Sequence, residues 1–133
     1  MKDKKLFSEV DAYIGGELDE GLFVFSGKPA NGVTLNEAEA AIDSQIEMLK
    51  NGFVSERELQ KVKNKIESTL LFSEMNVLNK AMSLAIFELM GDAAQVNNEA
   101  KKYLSVTPEE IQMMAREVFT ENNSSVLYYR AGE

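Results

Sequence analysis

Glu37, Glu39, Asp43 and Glu47 are the residues whose types and spacing come nearest to a chemical site. On a helix, Glu39 with Asp43 and Asp43 with Glu47 stand four apart and share a face. Clustered carboxylate oxygens are what a hard cation takes. No glycine-turned calcium loop accompanies them, so a solvated helix face is the simpler account. Tyr128-Tyr129-Arg130 offers phenols and a guanidinium that could touch a substrate. In a terminal strand the two tyrosines point to opposite faces, which favours ordinary strand packing. Arg57, Lys61, Lys63 and Lys65 form the most basic stretch, but Glu56, Glu58 and Glu67 interleave with them. They are too few for a nucleic-acid surface.

The absences constrain chemistry further. The 133 residues contain no histidine and no cysteine. That removes the commonest metal ligand, the usual neutral-pH base and the thiolate nucleophile. Carboxylate, lysine, arginine, tyrosine and hydroxyl remain, and no residue is assigned a catalytic, cofactor-binding or metal role. Lys and Arg number 14 against 22 Asp and Glu, a net charge of −8. Phosphate neutralisation dominates nucleic-acid binding, so neither nucleic acid nor an anionic membrane is an expected partner. Lys2 to Lys5 is followed by no hydrophobic region, and Val77 to Met90 is too short to span a bilayer. A soluble protein, cytoplasmic or periplasmic, is expected.

Three helix starts must position whatever chemistry exists. Thr34-Leu35-Asn36-Glu37, Ser55-Glu56-Arg57-Glu58 and Thr107-Pro108-Glu109-Glu110 each place a hydroxyl at the N-cap and glutamate three residues on. The hydroxyl accepts from the N3 amide while the carboxylate reaches back to the N-cap. Ala38, Ala41, Ile42, Ile46 and Leu49 share one helical face, ended by Asn51-Gly52. Leu59, Val62, Ile66 and Leu70 mark a second helix; Ile111, Met114, Ala115, Val118 and Phe119 mark the last. Val77 to Met90 is apolar nearly all round and reads as a helix buried among neighbours, stopped by Gly91. Ala93 to Leu104 reads as one more short helix. Met75, Met82, Met90, Met113 and Met114 read as core filler.

Both ends read as strands: Leu6 to Ile14, broken by Gly15-Gly16; Gly21 to Ser26; and Ser125 to Arg130. Gly27 to Gly32 reads as turn chemistry, without the Gly-Lys-Ser/Thr of a phosphate loop. The expectation is a single α+β domain over residues 1–133. It would hold an antiparallel sheet of about three strands, with four to five helices packed on one face. Three strands are few for so many helices, which suggests a larger sheet.

The ordered set of segments is similar to one in a known family. Gly21-Leu22-Phe23-Val24-Phe25 precedes Thr34 to Glu39 and Met48-Leu49-Lys50-Asn51-Gly52. Val54-Ser55-Glu56-Arg57-Glu58-Leu59-Gln60-Lys61-Val62-Lys63 and Val106-Thr107-Pro108-Glu109-Glu110-Ile111 follow. From Leu6 to Tyr129 the chain resembles the C-terminal half of a non-catalytic-type domain of the pitrilysin/insulinase zinc metallopeptidases, the inverted zincins. No single motif in it is specific; the order and spacing carry the likeness.

The resemblance implies a fragment of a larger peptidase-family α+β domain, one that encloses an extended peptide substrate while zinc sits in a catalytic half on the same or a paired chain. The family's His-x-x-Glu-His helix is absent here, so no cofactor is expected in this chain and zinc is expected in the parent protein. The family's substrate-contacting tyrosine position falls on Phe7 or Ser8, and its arginine position at or before Met1, so no functional residue carries over. A homodimer of the fragment through an open sheet edge is a further expectation. The alternatives are a scaffold or non-catalytic partner subunit of an inactive member, and an unrelated α+β protein-interaction domain.

Overall fold

The structure, a computed structural model, describes residues 6–15 and 21–130. Gly16 and the Lys2 to Lys5 stretch lie outside the described residues. In chain order the elements are strands β1 (Phe7–Ile14) and β2 (Phe23–Pro29), then helices α1 (Leu35–Asn51), α2 (Glu56–Glu74) and α3 (Val77–Leu89). A 3-10 segment, Ala93–Asn98, leads into α4 (Glu99–Ser105), and α5 (Pro108–Val118) follows. The α+β class is as expected. The chain divides into two compact units, residues 1–51 with 115–133 and residues 52–114, the division falling inside α5.

In the first unit β1 and β2 pair antiparallel, Asp11 across from Ser26 and Tyr13 across from Val24. Alternation sorts the side chains. Val10, Ala12, Ile14, Phe23 and Phe25 share one face; Glu9, Asp11, Tyr13, Ser26 and Lys28 share the other. Phe119, just past α5, lies edge-on to Phe23 with ring centroids 5.1 Å apart, and 5.7 Å from Phe25. Phe119 therefore packs on the apolar face. The stretch Gly27-Lys28-Pro29, read as turn chemistry, instead continues β2. A Cβ at Gly27 would come within 2.8 Å of the Phe7 ring, so a larger residue there would have to displace that ring.

Helix α1 begins as its sequence dictates. The Thr34 Oγ1 accepts from the Glu37 amide at 3.2 Å, and the Thr34 amide donates to the Glu37 carboxylate at 2.9 Å. Ala38 is buried, and Ala41, Ile42, Ile46 and Leu49 are half-buried along the expected face. Arg116 Nε donates to the Lys50 carbonyl at 2.7 Å, satisfying an orphan acceptor of the last turn.

The third strand is a correction. Among the described residues the sheet has two strands, and Ser125 to Arg130 joins no ladder. Val126, Leu127, Tyr128 and Tyr129 have strand composition, but a strand also needs a partner for its backbone groups. No described strand offers one.

In the second unit α2 packs on α3 and α4, and α3 on the 3-10 segment. Ser55 Oγ caps α2 by accepting from the Glu58 amide at 3.2 Å; the Glu58 carboxylate returns to the hydroxyl, at 2.9 Å, rather than to the amide. Leu59 is buried, Ile66 and Leu70 are half-buried, and Val62 is exposed. The single short helix expected over Ala93 to Leu104 is instead a 3-10 turn capped by Asp92, followed by α4.

Two further expectations fail here. Helix α3 starts on Asn76, whose side chain accepts from the Leu78 amide at 2.9 Å, and is followed by Gly91 at φ +113°. None of its residues is buried. Met75, Met82, Met90, Met113 and Met114 are all exposed as well, so they fill no core. All-round hydropathy reports a wish for cover, and only neighbouring atoms can supply it.

Candidate functional site

The hairpin's polar face lines a hollow. It has about 250 Å³ of volume, bounded by Glu9, Asp11, Tyr13, Ser26, Gly27 and Lys28. Lys28 stands across from Glu9, whereas Asp11 faces the neutral Ser26. The alternation of Glu9 and Asp11 was visible in β1, but their pairing with Ser26 and Lys28 is a matter of register. That is why sequence reasoning missed the set.

Among the described residues the backbone beside this hollow has no ladder partner. Residues of an antiparallel pair alternate between those bonded across the ladder and those whose N–H and C=O point away. Gly15 N donates to the Leu22 carbonyl at 3.0 Å, which fixes the phase. Val10, Ala12 and Ile14 therefore direct their backbone groups to the outer edge of β1. Among the described residues no backbone hydrogen bond reaches that edge. One of its donors is occupied: Ala12 N–H bonds to Asp11 Oδ1 at 2.9 Å.

The carboxylate run of α1 is held by protein partners. Glu37 closes the Thr34 cap, and Tyr128 OH donates to the Glu39 carboxylate. Glu47 accepts from Lys50 Nζ at 2.6 Å and from Asn51 Nδ2 at 3.0 Å. The Lys50 hydrogen bond holds the Glu47 carboxyl below its ordinary range. The Glu39 hydrogen bond raises the Tyr128 phenol above its ordinary value, aided by desolvation and by the charges of Glu39 and Asp43 against an opposing Arg130. Of the expected terminal set, Tyr128 alone is tied to a helix; Tyr129 is 89% exposed. Arg57, Lys61 and Lys65 are exposed along α2 and Lys63 is half-buried.

Histidine and cysteine are absent from the sequence, and among the described residues no three acidic side chains gather to hold a metal. Phe7 and Ser8, on one of which the resemblance would place a tyrosine, have local roles. The Phe7 ring covers Gly27, and Ser8 Oγ donates to the Lys28 carbonyl at 3.1 Å. The arginine position lies outside the described residues. No helix among the described residues is long and apolar enough to cross a membrane.

Comparison with protein-family profiles and with curated protein sequences finds no match. Comparison with solved structures does. The crystal structure of a protease from Helicobacter pylori superposes with a TM-score of 0.76 over 85% of this chain, at 18% identity. The two chains share a fold. The matched region is 27% of the Helicobacter pylori chain, so this chain spans about a quarter of that protein's length.

Proposed function

We propose that this chain is a non-catalytic, substrate-enclosing part of a zinc-dependent metalloendopeptidase of the pitrilysin/insulinase type. The observation that carries the reading is the shared fold with a protease. The residue order from Gly21 to Ile111 points the same way, and a chain without histidine or cysteine suits a wall better than a catalytic centre. Hydrolysis would belong to a catalytic half on the same or a paired chain. The apolar side chains that α3 leaves exposed, Leu78, Met82, Ile86 and Leu89, are surface on which such a half can pack. The outer edge of β1, without a ladder partner among the described residues, suits an extended peptide, which adds to a sheet through its main chain.

The test is made on the native protein that carries this sequence, captured with an antibody to this chain. Bound zinc together with chelator-sensitive cleavage of an unfolded polypeptide is the expected result. The purified chain alone should cleave nothing, and zinc-dependent cleavage by it would overturn the non-catalytic assignment. A native protein with neither zinc nor cleavage would favour the scaffold role, leaving the fold untouched.

A further inference from the structure

We infer that the outer edge of β1 is charge-gated: it accepts an extended peptide strand whose alternate side chains are basic, and it resists acidic strands and a second copy of itself. The inference deepens the substrate-enclosing reading and rests on it for the biological identity of the peptide.

Three observations combine. The backbone groups of Val10, Ala12 and Ile14 point outward with no ladder partner among the described residues. The same three side chains carry the apolar face to that edge, with Val10 57% and Ile14 67% exposed. On the opposite face of the same strand stand Glu9 and Asp11, two residues apart and both exposed.

A strand docking at this edge sets alternate side chains beside Val10, Ala12 and Ile14, and the others beside Glu9 and Asp11. Apolar residues suit the first set. For the second set the sign of charge decides. Lys28 sits across from Glu9 on β2 and the neutral Ser26 across from Asp11, so the Asp11 carboxylate meets the incoming strand with no cation directly opposite it. A second copy pairing β1 to β1 in antiparallel fashion would bring a second Glu9 and Asp11 against the first, and like charges across strands destabilise the pair. Charged residues on an exposed edge are a known defence against such self-association.

Asp11 adds a gate to this selectivity. Its carboxylate holds the Ala12 N–H that a docking strand needs. A lysine or arginine on the incoming strand attracts that carboxylate and releases the donor, so one side chain both recognises the peptide and frees the backbone. An acidic strand meets repulsion and an edge donor still occupied.

The test uses two capped hexapeptides with valine at alternate positions, one with lysine and one with glutamate between. Binding to the chain is measured by fluorescence anisotropy, with amide shifts followed by NMR. The lysine peptide should bind about tenfold tighter at low salt, shift the amides of Val10, Ala12 and Ile14, and lose its advantage as salt rises. Asp11→Ala should bring the two peptides close to equal, and Asp11→Arg should reverse the order. Failure of both peptides to bind, equal binding to the unaltered chain, or shifts confined to the helices would overturn the inference. A native protein without peptidase activity would defeat only the functional reading, leaving the charge preference intact.

Discussion

Helices α1 and α3 start with comparable capping and differ in what their side chains find. α1 has a one-sided apolar stripe; it buries Ala38 and half-buries Ala41, Ile42, Ile46 and Leu49. α3 is the more apolar helix of the two, yet none of its residues is fully buried and only Ser83 and Phe87 are half-buried. Each belongs to a different compact unit. The difference teaches that amphipathic pattern predicts orientation, since a stripe must face the available cover. Uniform apolarity predicts only that cover is wanted.

The comparison can be broken first at Ala38. Enlarging a buried alanine forces its neighbours off their rotamers, so Ala38→Leu should cost about 1–3 kcal/mol in urea unfolding. A near-zero change would show that α1 is no better packed than α3. The caps come next. Thr34→Ala on α1 and Asn76→Ala on α3 should each cost about 1 kcal/mol, because both remove a side-chain acceptor from the first turn. Unequal losses would place the difference in the backbone rather than in the burial.

A smaller effect belongs to the face of α3. Leu78 is 66% exposed, so Leu78→Gln should change the chain's stability by less than about 0.5 kcal/mol. The same substitution in the native protein should weaken capture of the other half if α3 is where that half packs. An undiminished complex would remove α3 from the interface.

The smallest effect concerns the tether between α1 and the terminal segment. Hydrogen bonding to Glu39 raises the Tyr128 phenol above its ordinary value near 10. The folded state thus holds this proton more tightly than the unfolded one. The contribution is fully present below pH 10 and is lost as pH climbs through the raised value. Phenolate absorbance should show one tyrosine titrating late, and Tyr128→Phe should remove it. Four tyrosines titrating together would dissolve the tether.

Much of the local structure was legible. All three hydroxyls cap their helices, but the reciprocal box closes only at Thr34–Glu37 and at Thr107–Glu110, the latter with the Thr107 amide donating to Glu110 at 2.9 Å and the Glu110 amide to Thr107 Oγ1 at 3.2 Å; Glu58 turns to the Ser55 hydroxyl instead. Capping depends on residues three apart, so the sequence holds all the information. The candidate site was half legible. The alternation of Glu9 and Asp11 against Val10, Ala12 and Ile14 is local, but the hollow also needs Ser26 and Lys28 from another strand. The Tyr128–Glu39 bond joins residues 89 apart, and no pattern in either segment announces the other.

The sequence by itself determined where helices begin, which face of α1 turns inward, that β1 alternates, and that no histidine or cysteine chemistry belongs to this chain. These follow from short-range sterics, capping and side-chain identity. Only the tertiary structure decided that, among the described residues, Ser125 to Arg130 joins no ladder, that no residue of α3 is fully buried, and that the outer edge of β1 has no ladder partner, with Asp11 across one of its donors. Pairing and burial are properties of two surfaces meeting, and a sequence describes one surface at a time.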